Sequence, residues 1–127
     1  KGFFGVNFRY PINWDKEQFF KNLIMTTNQF SLNLKLLNDS TPHYVSKDDE
    51  LVKTLHKAYI KYTNDDKTPL MTIGGGTYAR SLKRAVAFGP MMPGREDVVH
   101  QVDEYAYIED LLMSVAIFAE ALKELGK

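Results

Sequence analysis

The sequence has no cysteine, no net charge and no long apolar run. Each absence narrows the field. Without cysteine there are no disulfides and no thiolate ligands, so histidine, aspartate and glutamate are the only strong metal ligands on offer. A cysteine-free chain fits a cytoplasmic protein. Sixteen basic residues balance sixteen acidic ones, so no general attraction to nucleic acid or to an anionic membrane is expected, and any anion site must be local. The apolar runs are too short to span a membrane, and the N-terminus lacks the basic and apolar regions of a signal segment. What is present is a globular composition of 127 residues, 44% hydrophobic and 13% aromatic, enough for one core of ordinary density. The chain starts at Lys1 and enters a strand-like pattern at once, which reads as an internal piece of a longer protein.

Hydrophobic periodicity sets out the elements. Phe4, Val6, Phe8 and Tyr10 alternate with Gly5, Asn7 and Arg9, which predicts a half-buried strand with Asn7 and Arg9 on its open face. After Pro11, Asp15 and Gln18 stand at capping-box spacing and open a helix through about Gln29, with Phe19, Phe20, Leu23 and Ile24 on one face. Leu32, Leu34 and Leu36 alternate again, predicting a second strand that ends in the turn-forming Asn38, Asp39 and Ser40. Residues 42–47 read as a connector and as the one candidate boundary. Ser46 and Asp49 then open a helix near Asp48, with Leu51, Val52, Leu55, Tyr59 and Tyr62 on one face, until Asn64, Asp65 and Asp66 interrupt it. The last element is the plainest. Ile108, Leu111, Leu112, Val115, Ala119, Leu122 and Leu125 make a long apolar stripe that stops at Gly126.

Between those helices, residues 69–104 hold most of the chemically suggestive side chains. A short apolar run, residues 69–73, predicts a strand that breaks into Gly74, Gly75 and Gly76. Three consecutive glycines are costly to order, so they point to a place where another group comes close to the main chain. Thr77 can cap a following helix over TYARSLKR, whose first amides face the loop. AVAF reads as a further short buried strand and GPMMPG as a loop. His100 then stands among Val99, Val102, Asp103 and Glu104.

The motifs GGGTYAR, AVAFGPMMPG and REDVVHQVDEY, followed by a long amphipathic helix, resemble the C-terminal part of PepV-type dipeptidases. These form a branch of the aminoacylase/carboxypeptidase superfamily of two-zinc metallopeptidases. NFRYP and YVSKDDELVKTL resemble the same family in the same order, so the resemblance covers nearly the whole chain. It implies an α/β fold, in which residues 1–44 are the last part of a strand-helix-strand ferredoxin-like lid and residues 45–127 the C-terminal part of the catalytic domain. It also implies two zinc ions in the full-length parent, replaceable by manganese or cobalt, a dipeptide substrate, and the rest of the parent chain as partner. The fragment alone would be incomplete and inactive. Two other classes stay open: an inactive structural or regulatory homologue, and a ferredoxin-like binding module. Neutral charge weighs against nucleic acid for the latter.

Each candidate site residue has a plain reading beside the functional one. On spacing alone His100 is either a loop histidine or a metal ligand; the resemblance makes it the last protein ligand of one zinc, with the other ligands and the general-base glutamate upstream. Asp103 and Glu104 then stand just outside the ligand shell or at a helix start, with Asp103 placed to orient the imidazole. Arg9 is either a solvated strand charge or, by resemblance, the residue that grips the substrate carboxylate, a task suited to a planar two-pronged donor. Gly74, Gly75, Gly76 and Thr77 could cradle phosphate, but the P-loop spacing and its lysine are missing; the resemblance assigns them to a bound peptide backbone. Arg80 either contacts substrate or pairs with Asp103 or Glu104. Lys83 and Arg84 read as surface charges, His56 as exposed on a lysine-bearing helix, and His43 as carrying no role.

Overall fold

Helices are the regular elements that the computed structural model contains, and their ends explain why they stop where they do. It describes residues 2–89 and 91–127; Lys1 and Pro90, the latter within the GPMMPG loop, lie outside the described residues. Three α-helices are found among them, α1 (Lys16–Gln29), α2 (Glu50–Thr63) and α3 (Ile108–Leu125), with one 3-10 turn (Tyr78–Ser81). The chain divides into two units, Lys1–Tyr44 and Val45–Lys127.

In the first unit the Asp15 carboxylate accepts the Gln18 amide at 2.9 Å and starts α1. Only half of the capping box forms, because the Gln18 side chain turns forward to Asn22 instead of back to Asp15. At the other end Ser31 takes a left-handed conformation, φ 52. The Ser31 amide donates to Asn28 and that of Leu32 to Thr27, a Schellman closure built without glycine. Phe19 gathers the aromatic side chains, with Phe8 edge-on at 5.0 Å and Trp14 at 4.9 Å. Lys16 pairs with Asp39 at 2.8 Å, and the Tyr10 hydroxyl donates to the Ser40 carbonyl.

The α/β expectation is overturned. No strand occurs among the described residues, so the strand-helix-strand ferredoxin-like lid is absent from this structure. Residues 2–10 and 32–40 have neither helical backbone nor a ladder, and the alternating side chains remain exposed, from Phe4 and Val6 to Leu34 and Leu36. A period of two states which side chains would share a face. It does not supply the neighbouring backbone that a strand needs for its N–H and C=O groups. Residues 69–73 and 85–88 lack strand structure for the same reason.

The second unit is organised by α2 lying against α3. Ala58, Ile117 and Ala121 are buried at the contact, and Leu55, Tyr59, Tyr62, Phe88 and Met92 pack around them. Two alanines at the crossing let the helices approach closely while Ile117 fills the seam. Lys61 and Glu120 bridge the pair at 2.6 Å, and Phe88 meets Phe118 edge-on at 5.4 Å. α2 begins where Asp49 accepts the Leu51 amide at 2.8 Å and ends at Asn64, which is left-handed at φ 55. Both are residue types that terminate helices by offering the backbone a local alternative. Among the described residues no helix is long and apolar enough to cross a membrane.

Candidate functional site

The segment joining α2 to α3 carries the glycine loop and His100, and side-chain hydrogen bonds fasten it at intervals. Directly after α2, Asp65 accepts from the hydroxyls of Thr68 and Tyr59 and from the amides of Thr68 and Lys67. Those donors, Thr68 and Tyr59 foremost, hold its carboxyl far below the usual carboxylate range. The chain therefore leaves the helix in a defined direction.

The glycine loop comes next. Gly74, Gly75 and Gly76 are exposed and none has a positive φ. A Cβ added at Gly74 or Gly75 would meet nothing within 4 Å, whereas one at Gly76 would stand 2.7 Å from the Arg80 guanidinium. Arg80 thus folds back over Gly76, and its side chain pairs with neither Asp103 nor Glu104 among the described residues. Thr77 accepts the Ala79 amide at 3.3 Å, as a cap would, but what it starts is the four-residue 3-10 turn and not the α-helix expected over TYARSLKR. Its apolar side chains at helical spacing, Tyr78 and Leu82, are exposed and buried against no neighbour, and short helices depend on such packing.

Arg84 was expected to be a plain surface charge. It is exposed but specifically held: it makes three hydrogen bonds to the Asp49 carboxylate at 2.8 to 3.1 Å, tying the segment to the start of α2. The bonded guanidinium draws the Asp49 carboxyl below its ordinary range. An open depression of about 470 Å³ lies beside Arg84, lined by Glu50, Leu51, Thr54, Glu124 and Leu125, and contains none of the candidate metal- or substrate-binding residues. His56 also differs from expectation. It is half-buried, stacked on Tyr59, with Nε2 shielded and without a partner among the described residues.

His100 sits in a turn that bonds to itself. Its backbone is left-handed at φ 64, as is that of Asp103 at φ 60, and histidine and aspartate are among the residues that tolerate this region. Asp97 accepts the Val99 amide, the Gln101 side chain donates to the Asp97 carbonyl at 2.9 Å, and the Glu104 carboxylate accepts the His100 amide at 3.0 Å. The imidazole is exposed, and neither ring nitrogen has a hydrogen-bond partner among the described residues. Asp103 makes no hydrogen bond to the ring. It is Glu104, through the backbone, that holds the turn, and α3 starts beyond both carboxylates at Ile108.

Arg95 carried no assignment in the sequence. Its guanidinium makes two parallel bonds to Asp110, both 2.8 Å, and lies 3.8 Å from the centre of the Tyr107 ring. This pair draws the Asp110 carboxyl below its ordinary range. The only available sign was an arginine just before the histidine segment and two acids in the first turn of the following helix.

Among the described residues no group of three or more histidine, cysteine, aspartate or glutamate side chains is placed to hold a metal ion. The donor on offer, one exposed imidazole with unengaged nitrogens, fits one ligand's share of a zinc shell and no more. Arg9 lies in the other unit, exposed on the arm before α1, with Asn7 two positions before it and also exposed.

The profile of peptidase family M20/M25/M40 matches residues 4–124. The chain is 48% identical over 126 residues to "Putative dipeptidase YtjP" of Bacillus subtilis (strain 168), covering 99% of this chain and 26% of that protein. It is 40% identical over 124 residues to a protein named as a putative dipeptidase in Staphylococcus saprophyticus, and 41% identical over 124 residues to one so named in Staphylococcus aureus (strain USA300). Each match covers 98% of this chain and 26% of the relative, so the chain spans about a quarter of the length of the curated relatives it matches. The resemblance carried by the GGGTYAR, NFRYP and histidine-segment motifs holds at the level of the family: this chain belongs to peptidase family M20/M25/M40.

Proposed function

We propose that the full-length parent is a zinc-dependent, cytoplasmic dipeptidase, with manganese or cobalt able to replace zinc, and that this chain supplies one metal ligand and part of the substrate site. The observation that carries this is the His100 turn. Its backbone is fixed by Asp97, Gln101 and Glu104 while its imidazole is left exposed and unengaged, and relatives along the whole chain bear dipeptidase names. A ligand histidine needs one ring nitrogen free for the metal on a fixed backbone, while the other can donate to a supporting carboxylate or carbonyl. When bound, the metal supplies Lewis-acid polarisation of the scissile carbonyl.

This chain's residues bind and orient. Arg9 offers a planar guanidinium to the dipeptide's terminal carboxylate. Gly74 and Gly75, with open space where a side chain would stand, let a peptide backbone come close to the main chain, and Thr77 and Arg80 border that loop. Asp103, which makes no bond to the ring in this structure, would orient the imidazole once the parent's other ligands engage it, and the general-base glutamate comes from the rest of the parent. The fragment by itself should therefore hydrolyse no dipeptide and hold zinc weakly, because one ligand does not fix a tetrahedral site.

The deciding experiment is His100→Ala in the full-length parent, with zinc content after dialysis and dipeptide turnover as readouts. Loss of a ligand should lower metal affinity by at least about 10 to 100-fold, the range seen when mere supporting residues are removed. Two tightly held zincs and undiminished turnover would refute the assignment. Arg9→Ala tests the substrate side: it should raise KM for dipeptides far more than for substrates with an amidated C-terminus, and equal losses for both would exclude the carboxylate role.

A further inference from the structure

We infer that Arg95 is a positioning residue for His100, clasping the turn to the first helical turn of α3 and so setting where the imidazole stands. This rests on the metal-ligand reading of His100 given above. The turn's internal bonds fix its shape, but all of them run between residues 97 and 104. Beyond them, the one further hydrogen bond reaching out of residues 96–106 among the described residues is the long contact between the Tyr105 and Tyr107 hydroxyls, 3.5 Å. Shape is therefore set locally and location is not.

Arg95 supplies the location. Gly94, at φ 79, reverses the chain, and the Arg95 amide donates to the Met92 carbonyl. Met92 itself packs against the α2–α3 core. From that anchored start the guanidinium reaches Asp110 through two parallel 2.8 Å bonds, stacks on Tyr107 and approaches Glu109 at 3.7 Å. Asp110 is a firm attachment point. It is only 14% exposed, its carbonyl accepts the buried Ser114 hydroxyl at 2.7 Å, and Ile117 two turns along lies in the core. The two ends of the loop that carries His100 are thus pinned together at its base, by the fork-shaped donor best suited to two-point attachment.

The test uses the full-length parent loaded with cobalt, whose visible absorption reports the ligand geometry. Arg95→Gln and Asp110→Asn are each compared with the unchanged protein by cobalt titration and by hydrogen exchange of residues 96–106, with the amides of α2 and α3 as internal reference. Expected are faster exchange confined to residues 96–106, weaker cobalt absorption bands and an affinity loss of about 10-fold, as for other residues that orient a ligand. The double variant should lose no more than either single one, since both break the same contact. Unchanged exchange at residues 96–106 in both variants would overturn the inference. So would faster exchange with full cobalt affinity, provided that His100→Ala lowers it. If His100→Ala itself keeps full affinity, the metal reading fails and the clasp loses the purpose assigned to it.

Discussion

Within the second unit, the α2–α3 pair, free of glycine and proline, and the glycine- and proline-rich segment that joins them are held together by different means. The helices satisfy their own backbone and then bury Ala58, Ile117 and Ala121 between them. Among its described residues the segment has no ladder and almost no helix, and carboxylates hold it instead: Asp65 at its start, Asp49 with Arg84 near its middle, Asp110 with Arg95 at its end. The difference shows how a chain can carry a site without regular structure around it. Packing supplies a rigid frame, and a few two-point ion pairs hang the functional loops from it. Such pairs are weak at a surface when single, so their geometry matters more than their number.

That division can be tested by breaking either half. The largest effect should come from the frame. Ile117→Ala removes the one bulky side chain from the buried seam and should lower the free energy of opening of α2 and α3 by about 3 kcal/mol, the middle of the range for such truncations. Hydrogen exchange in the full-length parent would register it at Ala58 and Ala121 together, whereas a loss confined to α3 would show that the helices do not depend on one another.

A smaller and pH-dependent effect is expected where the segment leaves α2. The folded pKa of Asp65 is depressed by Thr68, Tyr59 and the amides that it accepts. Its stabilisation is therefore fully present above the ordinary aspartate value, about 3.9, and is lost as pH falls through the depressed folded value. Asp65→Asn should lower stability in the neutral region, where the full stabilisation is present, alter it least in acid, and so flatten the acid limb of the stability curve; an unchanged acid limb would contradict the role. Least of all should come from Thr77→Ala, which deletes the cap of a four-residue turn. A loss of about 0.5 kcal/mol, at the low end for caps, should be visible only as faster exchange at Ala79.

The elements legible in the sequence were those whose signals are local. Asp15, Asp49, Asn64 and Gly126 mark helix ends through bonds made within a turn of themselves, and the stripes on α2 and α3 follow from a period of 3.6. The strands were misread because alternation is also local, while a ladder is not. Residues 2–10 and 32–40 keep the pattern and lack the partner. For the site, the histidine turn and the glycine loop stood out by composition, and family motifs located them. His56 was misplaced because lysines on one side of a helix say nothing about what covers the other.

By itself, then, the sequence determined where three helices begin and end, that no thiolate chemistry is available, and which family the chain belongs to. These depend on residue type, on spacing within a few positions, and on motifs in a set order. Only the tertiary structure decided that Arg95 meets Asp110, that Arg84 meets Asp49, that Arg80 turns back over Gly76, and that the His100 ring has no hydrogen-bond partner among the described residues. The ion pairs join residues 15 and 35 positions apart, and a charge pair that far along the chain is specified by the path of the backbone between its partners, which no local pattern encodes.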